Sequence, residues 1–160
     1  MLKQISNKPG FSNKPGFSNK PGFSNKPGFS NKPGFSNNKG IEITLAITLR
    51  ESNELIGAIG ISHINEDLEK ASIGYWIGKQ YWNCGYCTEA VKAVLKYCFE
   101  ELKLNRVSAH HFANNPASGK VMEKAGMKKE GVLRQNEKKW GEYVDTPIYG
   151  ILKNEFNSKV

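Results

Sequence analysis

The stretch Trp82-Asn83-Cys84-Gly85-Tyr86-Cys87-Thr88-Glu89-Ala90 could do chemistry with its backbone rather than its side chains. It follows a strand pattern, turns on a single glycine and opens directly into an amphipathic helix. That arrangement leaves several first-turn N–H groups unpaired around one point, where the helix dipole also favours negative charge. The loop therefore reads as a phosphate cradle. The same residues spell Cys84-Gly85-Tyr86-Cys87, a Cys-x-x-Cys at a helix start, as in thiol-disulfide redox sites whose first thiol is acidified by the helix. Those sites set Trp directly beside the first Cys, whereas Asn83 intervenes here, so the cradle is the better reading. His110 and His111 are adjacent and fall on opposite sides of a strand. They cannot join one ligand set, and no metal is expected.

Ile73-Gly74-Tyr75-Trp76-Ile77-Gly78 precedes the loop, and Asn114-Asn115-Pro116-Ala117-Ser118-Gly119-Lys120-Val121-Met122-Glu123-Lys124-Ala125-Gly126-Met127 follows its helix by one strand pattern. In this order and spacing, over residues 42–156, the chain resembles the GNAT acetyltransferase superfamily. Within it, the resemblance is to the branch that acetylates ribosomal-protein N-termini. It implies a transferase that moves acetyl from acetyl-CoA to an amine by direct attack on the thioester. It further implies that the backbone of Tyr75, Trp76 and Ile77 pairs with the pantetheine arm like an added strand. The N–H groups of Cys84, Gly85, Tyr86, Cys87 and Thr88 would hold the pyrophosphate, and the Asn115 amide would contact the pantetheine amides. Ser118 matches the position whose hydroxyl stabilises the departing CoA thiolate. Many of these enzymes use instead a Tyr seven residues after the Asn, where this chain has Met122.

The family often has Gly where Asn83 stands, a small residue where Cys87 stands, and in this branch a Glu where Ser72 stands. Glu69, Glu142 and Asp145 remain as carboxylates, each expected to be solvated. A site poor in bases favours an acceptor that is already partly neutral. An α-amine has a pKa of about 8 against about 10.4 for Lys, so roughly a tenth of it is nucleophilic near neutral pH. The expected acceptor is therefore a protein N-terminal α-amine, that of a ribosomal protein included. The alternative is a non-catalytic domain that binds CoA without turning it over.

The elements that position these residues follow from periodicity. Alternation predicts strands over 42–50 and 54–64, joined by the Glu51-Ser52-Asn53 turn, and a third over 72–78. Thr88 is expected to cap a helix whose apolar positions Val91, Val94, Leu95, Cys98, Phe99 and Leu102 recur at the spacing of one buried face. A strand over 106–112 leads to a second helix with Asn115 as cap and Pro116 at its first position, ended by Gly126. Strands over 128–135 and 143–153 close the chain. The fold class is α+β, a mixed, mainly antiparallel sheet with helices packed on it.

The chain has 160 residues, a net charge of +8 and three Cys, as expected of one small cytoplasmic domain without a disulfide framework. No apolar run could span a bilayer, and no membrane partner is expected. Residues 1–40 carry seven Lys and no acid, so the rest of the chain has a net charge of only +1. The foldable part, residues 41–160, is therefore not a basic nucleic-acid-binding domain, and only the tail could attract RNA, weakly. Ser-Asn-Lys-Pro-Gly-Phe occurs five times in succession over residues 6–35, and a decayed copy follows at 36–40. One Phe per unit buries too little to offset ordering entropy, so residues 1–40 are expected to be disordered. The resemblance implies a strand and two helices ahead of residue 42, and the repeat stands in their place. An exposed sheet edge and self-association are the expected consequences.

Overall fold

The computed structural model describes residues 42–157, so the expectations for the repeat tail lie outside the described residues. Strands β1 (Ile43–Thr48), β2 (Leu55–Asn65) and β3 (Lys70–Ile77) form an antiparallel meander. Helix α1 (Tyr86–Glu100) then crosses over to β4 (Arg106–His110), which runs parallel to β3. Helix α2 (Pro116–Lys124), strands β5 (Lys128–Lys139) and β6 (Glu142–Leu152), and a short α3 (Lys153–Asn157) complete the fold. The single sheet has the order β1-β2-β3-β4-β6-β5 and is mainly antiparallel, as expected. Among the described residues no helix is long and apolar enough to cross a membrane.

Strand alternation builds the core. Leu45 lies opposite Ile59, Ile61 opposite Ile73, Ala71 opposite Val107, and Val107 opposite Ile151, so their side chains share one face of the sheet. All are buried there, together with Val91, Val94, Leu95, Cys98 and Phe99 of α1, whose three-and-four spacing lays one helix face on the sheet. Leu102 lies past the helix end and is only partly buried.

Strand ends differ from the sequence expectation by one or two residues in β1 to β4, and three other boundaries differ for physical reasons. Helix α1 starts at Tyr86, because Gly85 caps it in the left-handed conformation (φ 81°), and Thr88 is its third residue rather than its cap. Strand β5 runs on to Lys139 despite the polar run Gln135-Asn136-Glu137-Lys138-Lys139. An edge strand needs no second buried face, and β5 accommodates the irregularity with a register shift between Leu133 and Glu137. The β5–β6 connection is the two-residue turn Trp140-Gly141, both at positive φ, as a tight hairpin requires. Finally, the chain leaves the sheet at Leu152 and enters α3, where strand was expected to continue by one residue.

Strands β3 and β4 pair only at Lys70–Arg106, Ala71–Val107 and Ser72–Ser108. The Ser72 and Ser108 hydroxyls are 3.0 Å apart and form the last link. Beyond it β3 continues to Ile77, held on its other side by β2. That side is packed so closely that a Cβ on Gly57 would sit 3.0 Å from the Ile77 Cα and nearer still to the Trp76 carbonyl oxygen. Both obstacles are backbone and cannot rotate away. Gly57→Val should therefore cost about 2–3 kcal/mol, read as a lower urea midpoint. Gly131→Ala, whose Cβ would meet nothing within 4 Å, is the control and should change stability by less than about 0.5 kcal/mol.

Candidate functional site

Where β3 and β4 part, one edge of β3 faces a wedge. Gly78 donates its N–H to the Ile56 carbonyl at 2.8 Å. In an antiparallel ladder the facing direction alternates, so the peptide groups of Trp76, Gly74 and Ser72 also turn toward β2. Those of Ile73, Tyr75 and Ile77 turn toward the wedge. The Ile77 carbonyl accepts the Trp82 indole N–H at 3.1 Å, which leaves Tyr75 as the residue best able to offer both N–H and C=O to an added strand. Trp76, expected alongside them, has its backbone committed to Ala58.

The loop after β3 passes through a 3₁₀ turn (Lys79–Tyr81) and bends at two left-handed residues, Asn83 (φ 62°) and Gly85 (φ 81°). Asn tolerates that conformation best among residues with a side chain, so Asn83 does what glycine would do there. The first bond of α1 runs from the Glu89 N–H to the Gly85 carbonyl at 3.1 Å. The N–H groups of Tyr86, Cys87 and Thr88 consequently have no acceptor within the helix, and they lie at its positive end. Nothing stands within 4 Å of where a Gly85 Cβ would be, so the space over the cradle is open.

Cys84 is exposed, with its Sγ 3.4 Å from the Trp82 carbonyl, while Cys87 is half-buried. Burial pushes the Cys87 thiol up to about 12, so it stays protonated near neutral pH.

The N-terminus of α2 supplies the remaining groups. Pro116 occupies the first helical position, and Asn115 the cap position, as expected. The Asn115 side chain makes no capping bond, however; its Nδ2 donates to Ser118 Oγ at 3.0 Å. On the other side the Tyr75 hydroxyl donates to the Ser118 carbonyl at 2.9 Å. Ser118 is thus held at both of its oxygens, and its own hydroxyl proton remains free to be donated. Tyr75 was read from sequence for its backbone alone; its side chain is also the strut joining β3 to α2. Burial, reinforced by the nearby Cys87, raises the Tyr75 pKa well above its ordinary value and keeps the hydroxyl a donor.

The other candidate residues lie elsewhere. Glu69 lies at the far end of β3, where its carbonyl accepts the Asn105 and Arg106 N–H groups. Asp145 Oδ1 accepts the Gln135 N–H at 2.8 Å, Glu142 opens β6 beside the hairpin turn, and Met122 is in the core. Sequence reasoning missed a second cluster under α2. His111 is 9% exposed and its Nδ1 donates to the Phe112 carbonyl at 2.8 Å, while the Tyr149 hydroxyl donates to Glu123 at 3.2 Å. A Cβ on Gly119 would lie 2.8 Å from His111 Nε2 and 3.0 Å from the Tyr149 hydroxyl. A glycine inside a helical pattern was the available signal of this close approach.

A family model described as an acetyltransferase (GNAT) domain matches residues 28–128. The chain is 39% identical over 111 residues to the uncharacterized N-acetyltransferase YoaA of Bacillus subtilis strain 168, an alignment covering 69% of this chain and 63% of that protein. It is 29% identical over 102 residues to the ribosomal-protein-serine acetyltransferase of Escherichia coli K12, covering 64% of this chain and 57% of that one. The crystal structure of a GNAT-family acetyltransferase from Bacillus anthracis superposes with a TM-score of 0.64 at 35% identity, covering 69% of this chain and 66% of the other. The chain spans about three-fifths of the length of the curated relatives it matches.

The thiol environments predict a labelling order. Iodoacetamide at pH 8 should modify exposed Cys84 first, with Cys87 lagging and accelerating only as the pH is raised toward about 12. Peptide mapping of the labelled protein reads this directly, and rapid labelling of Cys87 below pH 7 would contradict it.

Proposed function

Because this chain belongs to the GNAT acetyltransferase family, we propose that it transfers acetyl from acetyl-CoA to an amine, with a protein N-terminal α-amine as the acceptor. The observation that carries this reading is the wedge past the Ser72–Ser108 link, where the β3 edge, the free amides of α1 and the Ser118 hydroxyl come together. The groups present match the chemistry of a CoA thioester. Tyr75 can pair with an amide-bearing arm through its backbone, and the N–H groups of Tyr86, Cys87 and Thr88 suit a pyrophosphate. The Asn115 amide, at the mouth of the same wedge, can turn from Ser118 to a ligand amide.

Bound acetyl-CoA would supply an activated acetyl group. The amine nitrogen bonds to the acetyl carbon as the carbon–sulfur bond breaks, and the proton lost by nitrogen goes to the sulfur. Ser118 is suited to donate its hydroxyl proton in a hydrogen bond to the sulfur as charge develops there. The acceptor assignment rests on acidity. Roughly a tenth of an α-amine is neutral near pH 7, several hundred times the fraction for lysine, so it needs less help from a base. The carboxylates of Glu123 and Asp145 and the ring of His111 are already engaged, and Glu69 lies at the far end of β3. The E. coli relative's name, a ribosomal-protein-serine acetyltransferase, supports the same class of acceptor.

CoA-thiol release should appear with peptides carrying a free N-terminus and not with N-blocked peptides whose only amine is lysine. Ser118→Ala should lower kcat about 10–100-fold while leaving the KM for acetyl-CoA within about twofold. Gly85→Val should raise the Kd for CoA about tenfold or more, and the left-handed backbone should also cost about 1–2 kcal/mol of stability. Tight CoA binding with no transfer to any amine would favour the non-catalytic reading, and no binding would remove both.

A further inference from the structure

Among the described residues, the two outer strands of the sheet are built differently. Strand β5 carries Lys128, Lys129, Glu130, Arg134, Glu137, Lys138 and Lys139, charges that discourage another strand from adding to it. Strand β1 carries no charge and no proline, and is flanked by exposed Glu42 and Arg50. Ladder alternation gives the direction of its peptide groups. The bond from Gly78 to Ile56 turns the even-numbered residues of β2 toward β3, so Gly57, Ile59 and Ile61 face β1 and bond to Ile47, Leu45 and Ile43. Leu49 also faces inward, donating its N–H to the Glu54 carbonyl at 2.9 Å. The N–H and C=O groups of Thr44, Ala46 and Thr48 therefore point out of the sheet edge.

The strand is also complementary to itself about Ala46. A second copy laid antiparallel on that centre sets Ala46 against Ala46, Thr44 against Thr48, and Glu42 against Arg50 on one face. On the other face it sets Leu45 against Ile47 and Ile43 against Leu49, which extends the apolar core side from one copy to the next. The residues that pair in this register are the same ones whose peptide groups point outward, so side-chain register and hydrogen-bond direction agree. Centred on Leu45 or Ile47, the outward peptide groups would still meet, but Glu42 would no longer face Arg50. We propose that two copies of this chain associate through β1, antiparallel about Ala46, joining their six-stranded sheets into one. The contact is isologous, with about six main-chain hydrogen bonds, two Thr–Thr pairs and two Glu42–Arg50 ion pairs.

Sedimentation velocity on the full chain from low to high micromolar concentration should reveal a monomer–dimer equilibrium. Amide hydrogen exchange at Thr44, Ala46 and Thr48 should slow as concentration rises. Ala46→Pro removes an N–H that β2 does not use, and should abolish the dimer with the circular dichroism unchanged. Glu42→Arg should weaken association about tenfold, and adding Arg50→Glu should restore it. A monomer at every concentration would overturn the proposal. So would protection of these three amides that is independent of concentration, which would mean that the chain's own residues cover the edge. A dimer indifferent to Ala46→Pro, or one that the E42R/R50E pair fails to restore, would equally contradict it.

Discussion

Parallel strands joined by a crossover helix normally stay paired along their length, because peptide groups taken from water must find hydrogen bonds. Here β3 and β4 stay together for three residue pairs and then separate, although β3 runs on for five residues more. The separation is held open from both sides. Strand β2 grips β3 through the close approach at Gly57, and β6 grips β4 along its whole length. The Ser72–Ser108 hydroxyl link pins the apex. What remains is a row of backbone groups on the parted edge of β3, the surface on which the proposed binding of a peptide-like arm rests.

Two helix starts converge on that edge. The turn at Asn83 and Gly85 brings the positive end of α1 to one side, and α2 brings Asn115 and Ser118 to the other. The Tyr75 hydroxyl ties the second helix to the strand that forms the wall. Beneath α2, Gly119 lets the helix settle on His111 and Tyr149, which sets the height of Ser118 above the sheet. The proposed chemistry therefore relies on main-chain donors and a clamped hydroxyl, with few ionisable side chains. That suits an amine acceptor which brings its own nucleophilicity.

Much of this was legible in the sequence, for reasons that can be named. The β1–β3 meander and α1 declare themselves by side-chain period, because their buried faces are filled with Ile, Val, Leu and Phe. The turn into α1 was visible as strand, glycine and helix in succession. Its cap was misjudged because Thr88 is a good capping residue by type, while Gly85 does the work with backbone geometry alone. The far half of β5 was hidden by polar composition, since an edge strand with a solvated face has no apolar period to read. The Tyr75 strut, the turn of the Asn115 amide toward Ser118, and the His111–Tyr149 cluster depend on contacts between residues distant in the chain. Local pattern carries no record of such contacts, apart from the oddly placed Gly119.

The account stands on the parted edge of β3 as a ligand-binding strand. Its most direct test is amide hydrogen exchange, followed by NMR, on the protein with and without CoA. The peptide directions predict that the Tyr75 amide, together with those of Tyr86, Cys87 and Thr88, gains protection on binding, while the Trp76 amide, already bonded to β2, does not change. Protection that appeared equally at Trp76, or that bypassed Tyr75 and the first turn of α1, would contradict it.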